Sequence, residues 1–184
     1  METHHSTPKV TYADFLLFPD DGRRHELLDG EHVVTASPVP KHQRICTRLL
    51  YLLEQHLETH PVGVLYGGPV DLLLSDVDVA APDIVFVSNE RALIVGEKNL
   101  QGAPDLVVEV LSPGTKRRDL GVKRDLYERS GVGEYWVVDP VAQTVAVYCR
   151  IGGRFREPRL YATTALIASA IFPGLELSAI HIFG

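Results

Sequence analysis

Two apolar stretches carry acidic side chains where strands are expected. DLVVEVL, residues 105–111, has the composition of a strand from the middle of a sheet, yet Glu109 stands near its end. DIVFV, residues 83–87, is a second apolar run and opens on Asp83. Burying a carboxylate in such a strand is costly unless a partner or a metal ion compensates it. The plainer alternative is a group that leaves the sheet edge and is solvated. Strand geometry decides which acids could act together. Asp105 shares the strand and face of Glu109 but lies about 13 Å back along it, at roughly 3.3 Å per residue. That is too far to share one metal ion, whose oxygen ligands lie at about 2.0–2.6 Å. Asp83 comes from another strand, and neighbouring strands run about 4.8 Å apart. The expected metal-binding pair is therefore Asp83 and Glu109, with Asp105 capping or orienting.

Such a pair suits a hard divalent cation such as Mg²⁺, completed by water and substrate oxygens. Its chemistry would be the polarisation of a phosphoryl oxygen and the generation of a hydroxide nucleophile. Phosphodiester hydrolysis also gains from a fixed cation near the nucleophile. The segment KRRDLGVKRDLYERSG offers one, because Asp119, Lys123 and Tyr127 fall at i, i+4 and i+8 on one helix face. Val122 and Leu126 are expected to anchor the adjoining face, leaving Arg117, Arg118 and Arg124 for solvent or phosphate. The alternative for Asp119 and Lys123 is a surface pair worth about 0.2–0.5 kcal/mol. SPGT ahead of this helix could cradle a phosphate or form only a turn and cap. Glu26, at the start of HELLDGEHVV, is either a further carboxylate aimed at the site or a strand-edge charge.

The remaining elements must position these groups. Thr11 is placed to cap a short helix in TYADFLLF, and Asp29-Gly30 predicts a type I′ hairpin turn. Apolar residues at Ile45, Leu49, Leu52, Leu53 and Leu57 predict an amphipathic helix across KHQRICTRLLYLLEQHLETH. His42, His56 and His60 on that segment read as solvated, with no zinc-ligand spacing. VLYGGPVDLLL reads as two strands, SDVDVAAP as a polar connection, and the run from Ser88 to Gly102 as a surface excursion. After Tyr148 a hairpin extension and a closing segment follow. The pattern predicts one α/β domain over residues 1–184, frayed over 1–10, with a mixed sheet flanked by helices.

A net charge of −6 means that any polyanion must be met by a local patch rather than by the field of the whole molecule. The segment from Lys116 to Arg129 supplies a modest one, with six cations against three acids. Cys46 and Cys149 read as reduced core thiols. The polar start METHHSTP and the lack of a long apolar run predict a cytoplasmic protein with no membrane partner.

The order ELLDGE, SPVPKHQ, APDIVFVS, APDLVVEVLSPGT and DLGVKRDLYERSGVGEYWVVDP resembles the Uma family of restriction-endonuclease-like proteins, within the PD-(D/E)XK nuclease superfamily. The resemblance runs from about Thr11 to the final FPGLEL, and the EVLSPGT-to-EYWVVDP block is its specific part. It implies a restriction-endonuclease-like core, with Asp83 as the motif aspartate and Glu109 as the metal-binding acid. It also implies a share for the Val110 carbonyl in the metal shell. The superfamily lysine two residues after the acid is missing, because Leu111 stands there; Lys123 is the natural replacement. Glu26 matches a glutamate of the family's N-terminal hairpin and joins the site. A homodimer is the further implication, suited to a duplex substrate. The first reading is thus a Mg²⁺- or Mn²⁺-dependent endonuclease acting on DNA. The competing reading is a noncatalytic nucleic-acid- or protein-interaction module on a degenerate nuclease fold, favoured by the acidic net charge and the missing lysine. A glycosidase-type acid pair finds little support in a lone Trp136.

Overall fold

The computed structural model describes residues 8–19 and 21–184. The chain runs α1 (Tyr12–Phe15), β1 (Arg24–Leu28), β2 (Glu31–Thr35), α2 (Pro40–Thr59), β3 (Gly63–Gly67), β4 (Leu72–Ser75), β5 (Asp78–Ala80) and β6 (Ile84–Ser88). It continues through a 3-10 turn to β7 (Leu100–Gln101), β8 (Leu106–Val110), α3 (Lys116–Arg118), α4 (Arg124–Ser130), β9 (Glu134–Asp139) and β10 (Thr144–Ile151). The chain closes with β11 (Arg154–Phe155), β12 (Arg159–Ala162) and α5 (Ala179–Phe183).

Local chemistry accounts for the early elements. Thr11 and Asp14 form a reciprocal capping box on α1. The β1–β2 turn places Asp29 and Gly30 at φ 55° and 77°, as a type I′ turn requires. The expected frayed start at residues 1–10 lies mostly outside the described residues. Within the described part, the Val10 amide donates to the Gly30 carbonyl and Lys9 pairs with Asp29, so residues 9 and 10 are tied to the hairpin.

Among the described residues the strands form two mixed sheets. One runs β2-β1-β5-β4-β7; the other runs β11-β10-β9-β8-β6-β3, with β12 also paired to β10. The second is the central sheet. Its β8 is antiparallel to β6 and parallel to β9, and period-2 alternation sends the side chains of β8 to two cores. Val108 and Val110 join the α2 residues Ile45, Leu49, Leu53 and Leu57 on one face. Val107 and Leu111 pack with Leu126, Tyr127 and residues of the smaller sheet on the other. Leu53 is fully buried in the first core, and Leu53→Ala is expected to cost about 2–5 kcal/mol in urea unfolding.

Two expectations need correction. SDVDVAAP contains β5, a buried strand, rather than a polar connection. Its Asp78 is tolerated inside because it accepts from the Asp29 amide at 2.9 Å, Ser75 Oγ at 2.8 Å and Arg129 at 2.8 Å. A satisfied carboxylate costs far less than its residue type suggests. The helix after SPGT is interrupted by a π-helical turn over Asp119–Lys123. That wider turn keeps Asp119 and Lys123 inside while Val122 is left 38% exposed, so of the two expected anchors Leu126 alone is buried in the core.

Candidate active site

The acids singled out in the sequence arrive from four elements. Glu109 sits on β8 in the parity of Val107 and Leu111, a position that would otherwise be apolar. Asp83 precedes β6, and its amide donates to the Val108 carbonyl at 3.2 Å, which places it beside the end of β8. Asp83 Oδ2 in turn accepts from the amide of Val110 at 2.8 Å. Glu26 projects from β1, fixed by the Ala81 amide at 2.9 Å. Lys123, from the π-helical turn, lies 2.6 Å from Glu109 Oε1, 2.8 Å from Glu26 Oε1 and 3.9 Å from Asp119 Oδ1. The solvated-edge reading of Glu109 and the surface-pair reading of Lys123 are thereby excluded, for both side chains are only 3% exposed. Asp105 stands apart, taking the Ser88 amide at 2.7 Å and Arg91 at 3.2 Å, so its part is to brace the β6 end.

Sequence reading missed Arg24 altogether. Its guanidinium reaches Asp83 Oδ1 at 3.0 and 3.2 Å. The available signal was period-2 alternation, since Arg24 and Glu26 share one face of β1. His42 also departs from expectation, because it is buried rather than solvated. Its Nε2 lies 3.2 Å from Asp83 Oδ2, which leaves Nδ1 to accept from the Cys46 thiol at 3.5 Å. His42, Cys46 and Asp83 each offer a ligand atom within 4.8 Å of one another. Tyr127 donates to Glu109 Oε1 at 2.7 Å. Tyr127→Phe should cost about 1 kcal/mol in urea unfolding, the net worth of one buried hydrogen bond.

The charges do not balance within this cluster. Glu26, Asp83, Glu109 and Asp119 are all buried against two permanent cations, Arg24 and Lys123. If every group were ionised, two negative charges would stand in excess, a costly state in a dry interior. Burial works against the Lys123 ammonium, but Glu109, Glu26 and Asp119 outweigh it and hold its pKa above the ordinary lysine value. Burial also raises Glu26 and Asp83. Lys123 and the Ala81 amide reverse this at Glu26, while His42 and Arg24 reverse it at Asp83, so both end below the usual carboxylate range. Glu109 has no such surplus. Burial, only partly offset by Lys123 and reinforced by Asp119 and Asp83, pushes it up to about 8. Burial therefore favours the protonated form of Glu109, in a place where a divalent cation would serve as well. This donor set, carboxylate-rich and short of two positive charges, fits such an ion.

The acids open into a cavity of about 430 Å³, walled also by Ser37, Thr115 and Arg118. SPGT forms a turn at its rim, where the Lys116 amide donates to the Ser112 carbonyl at 2.9 Å.

A model of the Uma2 family, described as "Putative restriction endonuclease", matches residues 12–179. The chain belongs to the Uma2 family. This Uma2 protein is 28% identical over 153 residues to the uncharacterized protein slr1290 of Synechocystis, a match covering 77% of this chain and 74% of that one. It also superposes on the crystal structure of a putative nuclease belonging to DUF820 from Anabaena variabilis. The TM-score is 0.80 at 21% identity, over 95% of this chain and 97% of that chain. The restriction-endonuclease-like core expected from the resemblance is thus the observed fold, with a second mixed sheet added to the central one. Among the described residues no helix of this Uma2 chain is long and apolar enough to cross a membrane.

Proposed function

We propose that this protein is a Mg²⁺- or Mn²⁺-dependent endonuclease that hydrolyses phosphodiester bonds in DNA. The observation that carries the reading is the convergence of Glu109, Glu26 and Lys123 beside Asp83, with negative charge in excess. Asp83 and Glu109 would hold the ion, which when bound neutralises developing phosphoryl charge and lowers the pKa of its water. Lys123, charged and locked between two acids, would orient the attacking water. Glu26 also holds Lys123 in place, at 2.8 Å, and would act as an outer carboxylate. Arg24 keeps Asp83 ionised and faces the same cavity, where a phosphate oxygen would be met. A homodimer, expected from the resemblance, and a cytoplasmic setting belong to the same proposal; light scattering checks the first.

The alternative, a noncatalytic interaction module, draws support from one feature. Both oxygens of Asp83 are already engaged, by Arg24 and by His42 and the Val110 amide. Plasmid and single-stranded DNA incubated with Mg²⁺, Mn²⁺ or EDTA separate the two. Metal-dependent nicking by the wild type, lost in Glu109→Gln and Asp83→Asn, is the expected result. Nicking that survives both variants would place the chemistry elsewhere, and metal binding without nicking would favour the interaction module.

A further inference from the structure

A second cavity, of about 570 Å³, adjoins the acid-lined one and shares Arg24, Ser37, Pro38 and Asp83 with it as a common wall. Its volume lies in the range of small-molecule sites, about 300–1,000 Å³. Part of its lining is aromatic. Phe15 and Phe18 line it with ring centroids 5.7 Å apart. Phe18 is backed by His32, whose ring centroid is 4.3 Å away, and His32 stacks on His25 at 5.1 Å with the planes 14° apart. His25 is held in turn by Asp21, 2.8 Å from Nε2. These rings form a braced wall rather than loose surface apolar groups. Cations line the same cavity, Arg23 and Lys98 in addition to Arg24, and Gln43 and Asp71 add hydrogen-bonding groups.

An aromatic face, amide and carboxyl groups and cations together match the parts of a nucleotide: a base with two π faces, a polar edge and a phosphate. A base inside a duplex cannot use such a cavity, because its faces are covered by neighbours and its pairing edge is occupied. We propose that this second cavity holds an unpaired nucleotide next to the phosphate bound at the acids. The enzyme would then select single-stranded or locally opened nucleic acid over a fully paired duplex. The inference rests on the nuclease reading for the identity of its ligand, but it concerns binding and is read without cleavage. A single strand would stack its base on Phe18, with its backbone along Arg23, Arg24 and Lys98. A paired duplex would reach the cations alone.

The test measures fluorescence anisotropy of a labelled single strand and of the same sequence as a blunt duplex, with Ca²⁺ in place of Mg²⁺. The single strand is expected to bind about tenfold more tightly, the scale of one base stacked on an aromatic ring. Phe18→Ala should remove that advantage while leaving the duplex Kd unchanged, and Phe18→Tyr, which keeps the ring, should retain it. A melting curve confirms that each variant is folded. Equal affinity for the two probes, or a loss in Phe18→Ala that is the same for both, would overturn the cavity's role. Should metal-dependent cleavage persist in that case, the nuclease reading stands and only the nucleotide site falls. Failure to bind or to cut either probe would sink both.

Discussion

Lys123→Ala is expected to abolish cleavage and to lower the stability of the metal-free protein by about 3–5 kcal/mol, the usual cost of leaving buried charges without their partner. Lys123 is the common cation of Glu26, Glu109 and Asp119, all of them buried. Proton uptake by Asp119 and Glu26, which lose the ammonium that held their carboxyls down, would relieve part of the loss and place the result toward the lower end. Glu109→Gln acts differently. Its amide oxygen still accepts from Tyr127, and the native carboxyl already favours the neutral form, so the metal-free stability should fall by only about 1–2 kcal/mol. Both variants lose activity, but their response to Mg²⁺ should diverge. The ion would stabilise Lys123→Ala more than wild type, because it meets acids that have lost their ammonium, and Glu109→Gln less, because a ligand is gone. Urea unfolding with Mg²⁺ or EDTA reads all of these. A Lys123→Ala variant as stable as wild type would mean that its ammonium is not the cation holding these acids together.

Much of this arrangement was legible in the sequence, because it follows from local periodicity. The parity of a strand and the i, i+4, i+8 face of a helix put Glu109, Lys123 and Tyr127 toward a common interior before any tertiary contact was known. The proximity of Asp83 and Glu109 followed from strand spacing once the two strands were taken as neighbours. What stayed hidden depends on partners far away in the chain. Nothing near Asp78 announces that Asp29, Ser75 and Arg129 will satisfy it, so β5 read as a loop. Arg24 went unnoticed because its partner, Asp83, is 59 residues on. His42 was placed on a polar helix face, yet the first turn of α2 runs beneath Asp83 and buries it. The π-helical turn was equally invisible.

Metal binding should release close to one proton near pH 7, and the affinity for Mg²⁺ should rise with pH, by up to tenfold per unit, until about pH 8. The cause is Glu109, whose carboxyl burial, against the pull of Lys123, holds up to about 8, so that it is largely protonated near neutrality. A ligand must be ionised before it can coordinate, and the proton leaves as the ion enters. Calorimetry in buffers of different ionisation heat counts that proton directly. The count should approach zero in mildly alkaline buffer and vanish in Glu109→Gln. The metal-free fold should show the matching dependence. Glu109 has a folded pKa above its unfolded value near 4.5, so the native state binds more protons between there and about 8. Its contribution is therefore full below the unfolded pKa and declines as pH rises through that window, by at most about 1.4 kcal/mol per unit. Glu26 and Asp83, held below their ordinary values, act in the opposite sense, and their contribution is lost only as pH falls through the acidic range. Stability of the metal-free protein should thus peak in mildly acidic solution, and saturating Mg²⁺ should move the peak toward neutrality. Affinity that is flat with pH, with no proton released, would show Glu109 already ionised and its charge already balanced by Lys123.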